Sequence, residues 1–268
     1  MPCGSGYRGP VSQPVLDLPR SVHLAAWLPY VRGSADVAEL AAAGVQRDDE
    51  PHTARDDDAG TGDVPLTDLL LAWGAPGVAT VAVLPVPGDV VGVPPEVSAA
   101  AVDAGECVLV ATPDGHVAAV PEVTAFGSPA EPGHLVHWHL TRVQPWALGM
   151  LAAVGTLAEA ERELREALRT ATAALDALDV ARWRDDAVAA LASLRAEPDL
   201  AALPRDLDPR RARVLALAAR LRVIVDLATA DDGGAVNLWQ ADQRSAALRH
   251  VDHAARRAMC AATLVVDA

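Results

Sequence analysis

The sequence predicts an α+β protein: a small mixed β-sheet domain with short helices, followed by an Ala/Leu/Arg-rich antiparallel helical bundle of about four helices. Proline and glycine divide the first half into short apolar segments, which is typical of strands, turns and short helices. In the second half, apolar residues recur at steps of three, four or seven, as from Leu157 to Leu178, and so share one helical face. We therefore predict two parts, residues 21–146 and residues 147–268.

The predicted bundle is divided by local signals. Thr156 and Glu159 have the spacing of a capping box, which starts the first long helix. The apolar phase slips at Asp179, which indicates a break and a second helix over about 180–197. Asp208, followed by proline, predicts the start of a third helix, and a fourth is expected over about 236–264. Short loops between them favour antiparallel neighbours.

The first half is predicted to contain about five or six strands. The apolar run at 21–28 predicts a first strand, and the β-branched run at 78–84 predicts a buried one. The T-P-D-G sequence at 112–115 predicts a hairpin. Alternating residues over 134–143 predict a strand with one wet face, and Ser34 is expected to cap a short helix at 35–43.

Two stretches are predicted to lie outside the folded elements. Residues 1–20 are rich in Gly, Pro and Ser and are expected to form a disordered tail. Residues 46–63 lack apolar periodicity and are rich in aspartate, so we predict an exposed acidic loop. Consecutive aspartates do not converge on one cation without a sharp turn, which disfavours a metal site in this loop.

Composition excludes several classes of function. The chain has no lysine, which excludes a Walker A loop and Schiff-base catalysis. The missing lysine itself indicates a bacterial genome of high GC content. The net charge is −14, and residues 1–150 carry 6 Arg against 18 Asp and Glu. Such a chain repels nucleic acid and anionic lipid, so we expect neither nucleic-acid nor membrane partners.

The cysteines and the N-terminus indicate the compartment. Three cysteines lie far apart without a CxxC spacing, which fits a reducing environment. The N-terminus lacks the pattern of a signal peptide, and the longest apolar run is too short to span a bilayer. We therefore expect a cytoplasmic protein.

The histidines of the predicted 134–143 strand form the most ligand-like cluster. His137 and His139 point to the same face at a separation of about 7 Å, which suits two zinc ligands. A third ligand could be His134, His116 or Asp114. However, no recognised zinc spacing is present, and a polar strand face explains the alternation. We expect no metal and no cofactor, although the sequence leaves open whether the histidines form a ligand site.

Arginines on the last two helices are the predicted binding surface. Arg213 and Arg220 are seven residues apart, as are Arg249 and Arg256, with His253 between the second pair. If the two helices pack antiparallel, the pairs form one donor-rich patch suited to carboxylate or phosphate. A solvated helix face is the simpler alternative.

No sequence motif identifies a known family or a reaction, so enzymatic activity stays uncertain. We expect a non-catalytic protein that acts through a macromolecular interaction, with an acidic protein segment as its partner, or through self-association. The alternative is a hydrolase, possibly metal-assisted, with a site at the sheet–bundle junction near His137, His139 and Asp114.

Overall fold

The computed structural model of the protein describes residues 18–57, 60, 62–90, 92–128, 131–176, 200–230 and 238–266. Most of the predicted N-terminal tail and the whole of the predicted second helix at 180–197 lie outside these ranges. Leu18 is already buried, with 4% of its surface exposed, so the folded chain includes the last residues of the predicted tail.

The first element is a helix, α1 (Arg20–Val31), and the predicted strand at 21–28 is wrong. The run is apolar without alternation, and such a run fits a buried helix as well as a buried strand. The whole run from Ser21 to Leu28 is buried in α1. Glu106 fixes its start, since a carboxylate oxygen accepts from the Ser21 amide at 2.7 Å.

The second helix, α2 (Ala35–Gln46), begins as predicted at Ser34, whose hydroxyl accepts from the Val37 amide. It continues through Gly44, which was expected to end it. Gly44 is needed for a close contact, because a Cβ there would lie 2.5 Å from Nε1 of Trp27. The indole instead donates to the Ala202 carbonyl at 2.8 Å.

Six strands form one mixed sheet in the order β2-β1-β6-β5-β4-β3. The strands are β1 (Thr53–Asp56), β2 (Val64–Pro65), β3 (Ala79–Val83), β4 (Cys107–Thr112), β5 (Gly115–Ser128) and β6 (Glu131–Arg142). β1 runs parallel to β6, and the other pairs are antiparallel. The predicted T-P-D-G hairpin is confirmed between β4 and β5, and the alternation along β6 is confirmed, with Val136, Trp138 and Leu140 buried.

The acidic stretch 46–63 differs from the predicted loop. It contains β1, and the adjacent His52 is only 1% exposed. Asp49 explains the difference: it bonds Arg20 at 2.6 and 2.9 Å and also contacts His52 and His134, both at 3.2 Å. Contacts distant in sequence therefore hold this stretch against the sheet.

The remaining short helices are α3 (Leu66–Trp73), α4 (Ser98–Ala104) and α5 (Ala147–Val154). A 3-10 turn over Pro95–Val97 leads into α4. Gly105 ends α4 in the left-handed conformation, at φ 73°, where a side chain would be strained.

Three long helices follow: α6 (Leu157–Asp176), α7 (Pro209–Ala230) and α8 (Leu238–Thr263). The capping box of α6 is confirmed, since Glu159 accepts from the Thr156 amide at 2.8 Å and donates its own amide to the Thr156 hydroxyl at 3.2 Å. Asp208 caps α7 as predicted. The three helices pack on one another. The count of about four helices stays a prediction, because the second predicted helix is not described.

Two contacts show the relative direction of the helices α7 and α8. Arg211, in the first turn of α7, donates to the carbonyl of Ala262 at 2.7 Å. Arg222, three turns later, lies 3.9 Å from Asp252. The two helices therefore run in opposite directions, as predicted.

The sheet and the long helices share one hydrophobic core. The hydroxyl of Thr263, at the end of α8, accepts from the Ala82 amide at 3.1 Å, and Val265 forms an antiparallel bridge with Thr80. The C-terminal segment thus lies along the outer edge of β3. None of the described helices combines the length and apolar character needed to cross a membrane.

Candidate binding pocket

A pocket of about 240 Å³ lies where the end of β3, the end of α5 and the last turns of α8 meet. Its apolar wall is formed by Val83, Leu84, Ala153 and Val154. Its polar wall is formed by Asp89, His253, Arg256 and Arg257. Cys260 of α8 also lines the pocket. The pocket therefore combines three basic side chains with one carboxylate.

A tight turn after β3 presents Asp89. Val86 and Asp89 exchange backbone hydrogen bonds at 3.0 and 2.9 Å, which closes the turn. Gly88 within it has φ +86°, a conformation that glycine adopts without strain. The aspartate therefore sits on a fixed backbone.

Arg256 is the structural centre of the polar wall. Its guanidinium donates to Asp252 at 2.7 Å, to Asp89 at 2.9 Å and to the Leu84 carbonyl at 2.9 Å, and the residue is 7% exposed. Burial alone would lower the pKa of Arg256, but the hydrogen bonds and charges of the two aspartates outweigh it and raise the pKa. This arginine is permanently charged and rigidly held.

His253 shares the same carboxylate. Its Nδ1 lies 2.8 Å from Oδ2 of Asp89, which also accepts from Arg256. Burial on its own would raise the pKa of Asp89, but these two partners outweigh it and hold the pKa below its usual value. With Nδ1 engaged by Asp89, Nε2 is the ring nitrogen left for a ligand, and the side chain is 45% exposed.

Arg257 joins the pocket to α5. Its Nε donates to the Val154 carbonyl at 3.1 Å, one of the terminal carbonyls that a helix cannot satisfy internally. Its Nη1 lies 3.3 Å from Glu163 of α6. The side chain is 31% exposed, so part of the guanidinium fork remains available at the pocket.

Cys260 is not a reactive thiol. Burial raises its pKa to about 11, so the thiolate is scarcely populated at neutral pH. The pocket therefore lacks a cysteine nucleophile.

The pocket brings together two of the five predicted binding residues, His253 and Arg256. Arg213 and Arg249 are exposed and Arg220 is half-buried; whether they extend the surface stays a prediction. Sequence reasoning missed Asp89 and Arg257. A turn signal marks the P-G-D sequence around Asp89, but nothing local links it to a helix 164 residues later.

The histidines of β6 lie elsewhere. His137 Nδ1 is 2.8 Å from the Thr53 hydroxyl, and His139 lies between Asp57 at 3.1 Å and Glu122 at 2.9 Å. Among the residues described, no group of three His, Cys, Asp or Glu is arranged to hold a metal ion. The long helices meet the sheet at β3, three strands from β6, so these histidines are not at the sheet–bundle junction.

The fold is a mixed α/β one, in which a six-stranded sheet and the helices share one hydrophobic core. Two family models match it in order: the Rv1486c-like protein N-terminal domain over residues 21–150, and the Rv1486c-like protein C-terminal domain over residues 158–260. The chain therefore belongs to the Rv1486c-like family. Comparisons with curated proteins and with solved structures give no match.

Proposed function

We propose that the protein is non-catalytic and acts by binding an acidic segment of a partner macromolecule. One carboxylate of that segment is held in the pocket at the end of α8. The observation that supports this is the convergence of the hydrogen-bond donors of Arg256 and Arg257 on one pocket, beside His253. Asp89, Asp252 and Glu163 share these two guanidinium groups, so recognition rests on directed N–H donors and not on a net positive charge.

The donors have divided roles. Arg256 is fixed by three protein partners and supplies a permanent positive charge at the back of the pocket. Arg257 is partly exposed and can donate directly to an incoming carboxylate, and His253, whose Nδ1–H donates to Asp89, lies beside it. Preorganised donors reduce the ordering cost of binding.

The surface beside the pocket favours a peptide segment over an isolated anion. The helix α5, whose last residues form the pocket wall, exposes Leu148 (84%) and Leu151 (44%). Exposed leucines next to a charged pocket suit apolar residues that flank an acidic one.

The test uses two fluorescently labelled peptides, one of alternating Glu and Leu and one of alternating Gln and Leu. Fluorescence anisotropy should show binding of the acidic peptide alone, weakening as salt increases. Arg257→Gln should raise the Kd roughly tenfold, because a hydrogen bond between charged groups contributes about 1.5–3 kcal/mol. Arg169→Gln, an exposed arginine on α6, is the matched control and should leave the Kd unchanged.

Equal binding of both peptides, or an equal effect of the two substitutions, would refute the proposal. Replacing Arg213, Arg220 and Arg249 together then measures whether the partner also covers the wider predicted surface. Thermal unfolding of each variant separates loss of binding from loss of fold.

A hydrolase is the second candidate, supported by the Asp89–His253 hydrogen bond. A carboxylate on Nδ1 orients a histidine so that Nε2 can take a proton from water. Hydrolysis of p-nitrophenyl acetate or p-nitrophenyl phosphate that is lost in His253→Ala would favour this function. Equal background rates of hydrolysis in the wild-type protein and in His253→Ala would contradict the hydrolase and favour the binding function.

A further inference from the structure

The hairpin of β5 and β6 extends beyond the sheet. β4 pairs with β5 as far as Ala119, and β1 pairs with β6 only from His137 onward. Residues 122–128 and 131–135, which we call the β arm, pair with each other, and the second of these strands also contacts the body at His134, whose carbonyl accepts from the Glu50 amide at 3.0 Å. All seven residues from Glu122 to Ser128 are exposed, so neither face of this strand is covered.

The arm is ordered by its own pairing and carries apolar surface. The ring of Phe126, the only phenylalanine of the chain, lies over Gly133 on the opposite strand, where an added Cβ would meet it at 2.5 Å. Even so, Phe126 is 45% exposed, Val123 41% and Leu135 52%. A two-stranded ribbon is only marginally stable in water on its own. A partner that covered this apolar surface would therefore stabilise the arm.

The outer edge of β5 in the arm is open to pairing. Along residues 122–128 the described structure places β6 on one side and no strand on the other. An open edge of this length, with valine, threonine and phenylalanine, is a template for a further strand.

The uncharged edge favours a second copy of this chain as that strand, because the same uncharged run of the other copy brings no like charge against it. Each copy has a net charge of −14, concentrated in the first half, so two copies repel except where the surface is neutral. The run 123–128, V-T-A-F-G-S, is uncharged and projects from the body. It is the place where two copies can approach with least repulsion.

We propose that the protein forms a twofold homodimer in which the arm strands of two copies pair antiparallel, edge to edge, around Ala125. This register sets Thr124 against Phe126 of the other copy and Glu122 against Ser128. No like charges are then opposed, and the aromatic ring gains a cross-strand neighbour. The dimer does not depend on the proposed function of the pocket, which lies at the end of the edge strand β3 and contains no residue of the arm.

Sedimentation velocity tests the dimer. The wild-type protein should sediment as a dimer at tens of micromolar, and Phe126→Glu should raise the dimer dissociation constant at least tenfold. Leu148→Glu makes the same apolar-to-charged change on α5, at a residue that is 84% exposed, and should leave the dimer intact. Arg257→Gln should also dimerise normally, which separates this proposal from the pocket.

Crosslinking tests the register. In a Cys3→Ser background, Ala125→Cys should oxidise to a covalent dimer, because the twofold axis passes beside this residue. Ala152→Cys, exposed on α5, should give collisional background only. A monomeric wild-type protein at 100 μM, equal effects of Phe126→Glu and Leu148→Glu, or equal crosslinking of the two cysteine variants would overturn the proposal.

Discussion

His139 shows how a single residue on the open face of the sheet acquires a property that its sequence position does not reveal. Both of its ring nitrogens face carboxylates, Nδ1 towards Asp57 and Nε2 towards Glu122. Burial alone would lower the pKa of His139, but the hydrogen bonds and charges of these two acids outweigh it and raise the pKa. The imidazolium form therefore persists to higher pH than in an ordinary histidine.

We expect an NMR titration of the His139 Cε1 proton to give a pKa above 6.5, the ordinary value for histidine. Since the folded pKa is raised, the pairs stabilise the fold fully below pH 6.5, and this contribution is lost as pH rises through the folded pKa. Asp57→Asn and Glu122→Gln should each lower the pKa, and Glu131→Gln should not. A pKa at or below 6.5 in the wild-type protein would contradict the geometry.

At the scale of elements, β1 depends on polar contacts. It has four residues, pairs in parallel with β6 and is followed only by the two-residue β2 at the sheet edge. Asp49 anchors the chain before it by contacting Arg20, His52 and His134. Burial alone would raise the pKa of Asp49, but Arg20 and His52 outweigh it and hold the pKa below its usual value.

Asp49→Ala should therefore destabilise the protein by about 2 kcal/mol, because it leaves a half-buried arginine and a buried histidine without their acceptor. Urea unfolding at neutral pH measures this, and hydrogen exchange should show the loss of protection concentrated in β1. Asp48→Ala, an exposed neighbour, should cost less than about 0.5 kcal/mol. Equal losses in the two variants would show that the Asp49 contacts contribute nothing to the attachment of β1.

The elements that the sequence predicted correctly are those set by local chemistry. Ser34, the Thr156–Glu159 pair and Asp208 each satisfy backbone groups within three residues, so their sequence spacing alone is sufficient. The misses depend on distant partners. The run 21–28 is helical because Glu106 and the core surround it, and β1 forms because β6 lies beside it. His253 and Arg256, two of the residues predicted to form a binding surface, line the pocket, and the pocket's aspartate comes from a distant turn.

For the whole molecule, the family models follow the chain as an N-terminal and a C-terminal domain, yet the contacts described here cross between them. Arg256 donates to the Leu84 carbonyl, and Thr263 and Val265 bond along β3. The outer edge of β3 is covered by residues from the far end of the chain.

Residues 1–146 alone should accordingly fail to fold cooperatively, since β3 loses its cover and the core loses α8. We expect a broad, weak transition by differential scanning calorimetry and strong binding of the dye ANS. Residues 147–268 provide the comparison, because they retain the contacts among α6, α7 and α8. A sharp transition in the 1–146 fragment would show that the sheet is independent.

The hydrogen bond between Ala82 and Thr263 joins residues that are 181 positions apart, so its two partners are synthesised at different times. At about 5–20 residues per second, β3 leaves the ribosome roughly 10 to 40 s before the segment that covers it. During that interval its apolar edge is open to neighbouring nascent chains. The edge of β3 therefore stays uncovered until Thr263 and Val265 have been synthesised, and slowing the ribosome between β3 and these residues would lengthen the period in which the chain can aggregate.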